Sequence, residues 1–109
     1  MPLLLEDMSD AVARIERYVA ELSRDQFMAD RRTVDAVVRN LEILGEAANR
    51  LPPDFKQRHA DIPWPQIVGL RHRIVHDYFD IDLEIVWQII QQELSPFKGR
   101  LDQLRAERA

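Results

Sequence analysis

The chain has 109 residues, the length of one domain, and its 46% hydrophobic and 31% charged residues are typical of a folded globular protein. It contains no cysteine, which excludes disulfides, thiolate nucleophiles and cysteine-ligated zinc, and which fits a reducing cytoplasm. The net charge of −4 argues against a surface coated in positive charge for nucleic acid, but leaves room for a local basic site.

No targeting or membrane-spanning segment is predicted. The apolar residues at the start are followed at once by Glu6 and Asp7, without the basic beginning of a signal peptide. No apolar run approaches the roughly 20 residues that span a bilayer. We therefore expect a cytoplasmic protein that makes no membrane contact and forms a single helical domain over residues 1–109.

The first predicted helix runs from about Leu3 to Arg24. Its apolar residues recur alternately three and four positions apart, which places them in one stripe along an α-helix. The charged residues between them fall largely off the stripe and are expected to face water. The stripe consists of Leu5, Met8, Val12, Ile15, Val19 and Leu22.

The second predicted helix begins after Asp30, whose carboxylate is suited to cap the free N–H groups of the first turn. Its apolar residues repeat the same spacing, and the proline pair at 52–53 ends it. Gly45 and the alanines that follow would let another helix backbone approach closely beside Glu46. The stripe consists of Val34, Val37, Leu41, Leu44, Ala48 and Leu51.

The third predicted helix starts near Trp64 and Pro65, since a proline fits the first helical position, and it ends near Phe79. Residues 54–62 before it are polar and predict no more than one helical turn. Trp64 is expected to be a core residue rather than a platform for stacking bases. The apolar residues of this helix are Ile67, Val68, Leu70, Ile74 and Val75.

The fourth predicted helix is capped by Asp82, and Pro96 inside it should kink or interrupt it. Trp87 is expected in the core, and the charged tail from about Arg105 is expected to fray. Four amphipathic helices with short connections predict an all-α fold, an antiparallel up-and-down bundle of four main helices. The fourth stripe consists of Leu83, Val86, Ile90, Leu94, Phe97, Leu101 and Leu104.

The segment from Arg71 to Tyr78 concentrates two guanidinium groups, two imidazoles, a carboxylate and a phenol in eight residues. One interpretation is a site that cleaves RNA without a metal or other cofactor. Arg71 would bind phosphate through its planar fork and stabilise the charge that builds on the phosphorane. His76, which titrates near neutrality, would move a proton at the ribose 2′-hydroxyl or the leaving 5′-oxygen.

The spacing of Arg71 and His76 does not place them on one helix face, because positions five apart lie about 140° apart around the axis. The length of the arginine, a distortion near the helix end, or a two-fold dimer would each bring them together. We favour the homodimer, because one histidine in each protomer supplies a single acid–base group and a two-fold axis would supply a second.

Two other interpretations of the same segment stay open. His72 and His76 are four apart, the spacing of helical metal ligands, and Asp77 or Asp80 would add an oxygen. No glutamate lies between them and no third histidine is near, so no metal is expected. The remaining interpretation is a solvated surface on which Arg73 and Asp77 form an i, i+4 salt bridge.

Charged residues outside this segment also have alternative interpretations. Glu46, a carboxylate among small residues, either holds Arg71 in place or is solvated beyond the apolar stripe. Arg50, Arg58 and His59 would extend a phosphate track, although we expect them to be part of an ordinary solvated surface. The sequence alone does not decide between these roles.

The sequence resembles the HepT-like branch of the HEPN superfamily over about residues 3–104. The superfamily signature is an arginine, four to six residues and a histidine, which Arg71 and His76 match with four between. The branch carries a tyrosine two residues after the histidine, and His76-Asp77-Tyr78 matches it. Further matching elements are Gly45-Glu46-Ala47-Ala48, Ile62-Pro63-Trp64, Ile67-Val68-Gly69-Leu70-Arg71 and Val86-Trp87.

The resemblance implies a toxin of a type VII-like toxin–antitoxin pair. Arg71 and His76 would be the catalytic pair of a metal-independent endoribonuclease acting on tRNA or mRNA. The residue after the motif arginine is usually asparagine, and His72 replaces only some of the hydrogen bonds of an amide. The residues expected to support the pair are His72, Glu46, Arg73 and Asp77.

The resemblance also implies a partner, a minimal nucleotidyltransferase antitoxin of the MntA type. Such a partner would transfer AMP to Tyr78, which would block the cleft and offset its positive charge. The alternative is a non-catalytic module that binds nucleotides or partners and acts in complex with the nucleotidyltransferase. The acidic net charge and His72 are the features that favour the alternative.

Overall fold

Eight α-helices and one π-helical turn make up the part of the chain that the computed structural model describes, residues 2–75 and 80–108. The all-α class is confirmed, but three long helical runs lie in this part where the sequence predicts four. No helix of these residues is both long and apolar enough to cross a membrane. The elements are α1 Pro2–Val19, α2 Arg24–Ala29, α3 Arg31–Arg50, α4 Pro53–Arg58, α5 Trp64–Val68, α6 Leu70–Ile74, α7 Leu83–Gln88, the π turn Ile89–Glu93 and α8 Leu94–Arg108.

A continuous cluster of buried apolar side chains holds the helices together, with α1 packed against both α3 and α8. The stripes predicted for the first two helices are buried in it, except for the half-buried Leu22. Trp64 is buried and packs edge-on against Phe97, with 6.2 Å between the ring centroids. Trp87 packs against Phe27 at 5.3 Å. Both tryptophans are therefore core residues, as predicted.

The first helix ends at Val19, five residues before the predicted end near Arg24. Ser23 begins the separate helix α2, because its hydroxyl accepts from the N–H of Gln26 at 3.2 Å. The side chain of Gln26 in turn accepts from the N–H of Ser23 at 2.9 Å. This reciprocal cap competes with the apolar stripe and starts a new helix, which buries Phe27.

Asp30 caps α3, as predicted. Its carboxylate accepts from the backbone N–H of Thr33 at 3.1 Å and from the Thr33 hydroxyl at 2.8 Å. The same two hydrogen bonds, the hydroxyl first, hold the pKa of Asp30 below its ordinary value. Because the N–H of Asp30 also donates to the Phe27 carbonyl at 3.1 Å, this residue ends α2 as well as starting α3.

Acid is expected to remove stability through Asp30. Its pKa is lower in the folded protein than the value of about 3.9 in the unfolded chain, so its contribution is complete above that value and lost as the pH falls through the folded pKa. Asp30→Asn keeps a capping oxygen but does not titrate. The melting temperature should therefore fall more steeply in the wild type than in Asp30→Asn between about pH 5 and pH 2. Equal slopes for the two proteins would contradict this.

Gly45 lets α5 lie directly against α3. A Cβ atom at this position would meet the backbone carbonyl oxygens of Ile67 at 3.0 Å and Val68 at 3.4 Å. The prediction that a small residue here admits another helix backbone is therefore confirmed. The close approach fixes where α5 ends and where α6, which carries Arg71, begins.

Replacing Gly45 with alanine is expected to lower the free energy of unfolding by about 1 kcal/mol, since overpacking against backbone outweighs the gain in helix propensity. Gly99→Ala is the matched control, because a Cβ atom at Gly99 in α8 would meet no other atom within 4 Å. It should raise the free energy of unfolding by about 0.5–1 kcal/mol. Urea denaturation measures both, and a stabilising Gly45→Ala would contradict the contact.

The fourth predicted helix is one run over residues 83–108, with the π turn Ile89–Glu93 inside it. Asp82 caps it as predicted, accepting from the N–H of Ile85 at 3.1 Å. Helix α8 continues through Pro96, so the proline does not end the helix, and the regular α-helix is interrupted instead by the π turn. The wider π turn lies directly before Pro96, where the ring of a proline crowds the preceding turn of a regular helix.

The charged end of α8 is ordered rather than frayed, contrary to the prediction. The helix continues to Arg108, and Leu104 is buried at 1% exposure. Arg105 donates to the hydroxyl of Ser9 in α1 at 3.1 Å. Packing of the last apolar residue and this contact together extend the helix beyond the point where its charge pattern predicts fraying.

Candidate active site

The motif segment is not the single helix from Trp64 to Phe79 that the sequence predicts. The chain leaves the helical conformation at Gly69, with φ −88° and ψ 12°, so that α5 and α6 are separate. Helix α6 ends at Ile74, and Val75 is extended with φ −110° and ψ 117°. Both Ile74 and Val75 are β-branched, which favours extended backbone over helix.

The end of α6 is held by pairing with residues beyond the motif. Val75 forms an isolated antiparallel bridge with Ile81, and the N–H of Asp82 donates to the carbonyl of Ile74 at 2.7 Å. Residues 76–79 between these pairs lie outside the described residues. The roles of His76, Asp77 and Tyr78 therefore stay predictions, while the continuous helix expected between Arg71 and His76 is wrong.

Arg71 is exposed, and its side chain makes no hydrogen bond or salt bridge within residues 2–75 and 80–108. It lines a cavity of about 210 Å³ together with Val75 and Ile81, which flank the 76–79 segment. It also lines a larger cavity of about 530 Å³. Both cavities are bounded by Glu42 of α3, and we call the two together the α3 groove. Among the described residues the guanidinium of Arg71 thus has no partner, and its exposed position on the groove makes it accessible to a ligand.

His72 and Glu46 lie with Arg71 on the larger cavity of the α3 groove. Both side chains are exposed, and Glu46 makes no salt bridge to Arg71. Of the two roles considered for Glu46, the structure favours the solvated carboxylate over one that holds the arginine. Sequence reasoning missed Glu42, although its position one turn before Glu46 on the same helix was a usable signal.

Arg73 is bound by Glu93 of the π turn in a two-point contact. Its Nη1 donates to Oε1 at 2.9 Å and its Nη2 to Oε2 at 2.6 Å. Hydrogen bonding to Glu93 raises the pKa of Arg73 above its ordinary value. The sequence predicts Asp77 as the partner, which lies outside the described residues. Glu93 was missed because it lies 20 positions away and is presented by a π turn.

Of the other candidate charges, Arg58 and His59 are part of a separate surface. Arg50 is exposed. The guanidinium carbon of Arg58 lies 6.0 Å from the ring centroid of Phe55, and the His59 ring lies 4.7 Å from it. Arg58 and His59 line a cavity of about 260 Å³ that Arg71 does not border. They therefore do not extend the α3 groove.

No cluster of three or more histidine, aspartate or glutamate side chains with the geometry of a metal site occurs in the described part of the chain. The metal interpretation of the motif needs His76 and Asp77, which lie outside that part. His72 is exposed on the α3 groove, and Asp80 is exposed beside a different cavity of about 470 Å³. These two described candidates for ligands border different cavities, so the structure does not bring them together.

The model of the family described as "Ribonuclease HepT-like" matches residues 8–104. The chain belongs to the ribonuclease HepT-like family. It is 37% identical over 101 residues to "Probable ribonuclease HepT" of Thermococcus cleftensis, covering 93% of this chain and 92% of that protein. It is 40% identical over 42 residues to "mRNA nuclease HepT" of Shewanella oneidensis, covering 38% of this chain and 32% of that protein. No solved structure gives a significant match.

The residues matched by the HepT-like family model include Glu42, Glu46 and Arg71, which line the α3 groove. The resemblance inferred from the sequence is thus confirmed at the level of the family and of its ribonuclease class. The structure adds that the motif arginine is exposed on a groove and that its side chain is not paired with any residue of 2–75 or 80–108.

Proposed function

We propose that the chain is an endoribonuclease whose site is formed around Arg71 and His76. The observation that carries the proposal is Arg71 itself, an exposed guanidinium that lines the α3 groove without a salt bridge among the described residues. Its cavity borders both flanks of the segment that contains His76. The names of the two relatives, a ribonuclease and an mRNA nuclease, support RNA as the substrate class.

The proposed reaction is transfer within the RNA backbone. The ribose 2′-oxygen attacks the adjacent phosphorus, the bond to the 5′-oxygen breaks, and a 2′,3′-cyclic phosphate and a 5′-hydroxyl result. His76 takes the 2′ proton or gives a proton to the leaving oxygen, and Arg71 stabilises the charge on the phosphorane oxygens. A second copy of the chain, related by a two-fold axis, would supply the second acid–base group.

Cleavage of tRNA and mRNA in EDTA tests this proposal. The wild-type chain should cleave at least one of the two, His76→Ala should not, and the product ends should carry cyclic phosphate. Arg17→Ala, which removes an exposed arginine of α1, is the control for loss of charge alone. Equal cleavage by the wild type and His76→Ala would overturn the proposal.

Regulation by AMP transfer is the second part of the proposal. The phenol oxygen of Tyr78 attacks the α-phosphorus of ATP on a nucleotidyltransferase partner, a P–O bond forms, and pyrophosphate leaves. Incubation with a partner enzyme of this class and ATP should raise the intact mass by one AMP unit, and Tyr78→Phe should abolish the increase. Modification of Tyr78→Phe to the same extent would place the acceptor elsewhere.

The second candidate function is a non-catalytic module that binds nucleotides or the partner. Glu42 and Glu46 favour binding of the partner protein over binding of RNA, because two carboxylates on the groove that Arg71 lines oppose a bound polyanion. Formation of a stable complex with the nucleotidyltransferase, together with no cleavage of RNA and no growth arrest on expression, would support it. Growth arrest that is lost on His76→Ala would count against it.

A further inference from the structure

Three exposed arginines of α3 lie on one face of the helix, and the structure gives their side chains no partner within residues 2–75 and 80–108. Arg32 and Arg39 are seven positions apart, and Arg39 and Arg50 are eleven apart. Seven and eleven residues both come within about 20° of whole helical turns, so the three side chains share one helix face over about 27 Å. All three are exposed. We call Arg32, Arg39 and Arg50 the arginine stripe.

The arginine stripe is distinguished by its lack of partners. None of its guanidinium groups makes a salt bridge or side-chain hydrogen bond within the described part of the chain, although Arg32 helps to lower the pKa of Asp30. Arg17 and Arg71 also lack partners there, but most other described cations are occupied, either by hydrogen bonds, as Arg14, Lys56 and Arg105 are, or by ion pairs. The occupied pairs are Arg24–Glu84, Arg31–Asp35, Arg73–Glu93, Lys98–Asp102 and Arg100–Asp61.

The stripe runs along the outer edge of the α3 groove. Arg39 is three positions before Glu42, and Arg50 is four positions after Glu46, so each arginine is next to a groove residue on the helix surface. The glutamates disfavour a phosphate chain deep in the groove. A chain that reaches Arg71 would instead be favoured to continue along the stripe, where the guanidinium groups have no partner among the described residues and the neighbouring Asp35 is paired with Arg31.

We propose that the arginine stripe binds the phosphate backbone of single-stranded RNA on one side of the cleavage site. The identity of this polyanion as the substrate rests on the proposed ribonuclease function. A flexible strand suits the stripe, because arginines along one helix follow a backbone without reading its bases. The stripe would thus add affinity for RNA and leave the chemical step to the residues of the groove.

The test measures RNA binding by the full chain with His76→Ala, which keeps the RNA intact. Fluorescence anisotropy of a labelled single-stranded RNA gives Kd at salt concentrations from about 50 to 200 mM. Arg32→Gln, Arg39→Gln and Arg50→Gln together should weaken binding about tenfold at the low end. They should also reduce the slope of log K against log salt by about 2, the value for three lost phosphate contacts on a single strand.

The matched control changes the same charge elsewhere, with Arg17→Gln, Arg58→Gln and Lys98→Gln combined. Glutamine is a good helix former, so both triple variants should keep the far-UV circular dichroism of the parent. If the two triple variants bind RNA equally weakly, the loss of affinity is an effect of net charge, and the proposal for the arginine stripe is overturned. Loss of self-association by the stripe variant without loss of RNA binding would assign the surface to a protein partner and would also overturn it.

The two proposals fail separately. If the wild-type chain does not cleave RNA but the stripe variant still binds RNA less well than the control triple, the ribonuclease proposal fails and the proposed RNA-binding surface stands. If the wild-type chain cleaves RNA but the stripe variant binds RNA with unchanged Kd and salt slope, only the proposal for the arginine stripe fails. In the cleavage assay the stripe substitutions should raise KM and leave kcat unchanged.

Discussion

Arg71→Ala is expected to lower kcat for RNA cleavage by about two to three orders of magnitude, the usual cost of removing one donor to a developing oxyanion. The dissociation constant of the RNA should change far less, because this interaction strengthens as charge builds in the transition state. The fold should be unaffected, since Arg71 is exposed and has no salt bridge in the described part of the chain. Its free energy of unfolding should stay within about 0.5 kcal/mol of the wild type.

Arg71→Lys separates charge from shape at the same position. The ammonium group keeps the positive charge but lacks the planar fork that binds two phosphate oxygens, so it should recover only part of the lost rate. Single-turnover cleavage at saturating protein measures the chemical step for all three proteins. Arg17→Ala should match the wild type. A kcat for Arg71→Ala within about threefold of the wild type would remove Arg71 from the chemistry.

The long helices were predictable because their signals are local and repeated. The apolar stripes of α1 and α3 extend over several turns, and the caps at Asp30 and Asp82 each depend on contacts three residues away. The role of Gly45 also followed from residue size alone, since a backbone can approach only where a side chain is missing. These features need no knowledge of what lies far away in the chain.

The boundaries of the short helices depend on competing or distant contacts. The apolar stripe of the first helix continues as far as Leu22 and predicts one helix to about Arg24, whereas in the structure Ser23 caps the separate helix α2. The end of α6 at Ile74 depends on the pairing of Val75 with Ile81, which a helix pattern read from the sequence does not contain. The motif was therefore predicted on one long helix that the chain does not form.

The surroundings of the candidate site were predicted only in part. His72 is next to Arg71 in the motif, and Glu46, for which the sequence left two roles open, lies on the same cavity as both. The partner of Arg73 was not predicted, because Glu93 belongs to a π turn, which also buries Ile89 although Ile89 lies off the predicted stripe. A regular periodicity of about 3.6 residues therefore gives no signal that Glu93 faces α6.

The contact between Arg73 and Glu93 is expected to be required for the rate as well as for stability. Helix α6 has five residues, and Arg73, two positions after Arg71, anchors this helix to the π turn through Glu93. Glu93→Gln should cost about 1 kcal/mol of unfolding free energy, since the pair is only partly buried. It should lower kcat about tenfold or more, because even a small displacement of the Arg71 guanidinium from its catalytic position slows the reaction strongly.

Asp61→Asn provides the matched control for this loss. The Asp61–Arg100 contact is also a two-point one, with donor–acceptor distances of 2.7 and 3.1 Å, but it joins the α4–α5 connection to α8. Its removal should cost similar stability and leave kcat unchanged. The exchange Arg73→Glu with Glu93→Arg should restore part of both losses in a double-mutant cycle. If Glu93→Gln and Asp61→Asn lower kcat equally, the Arg73–Glu93 contact stabilises the fold without positioning the arginine of the site.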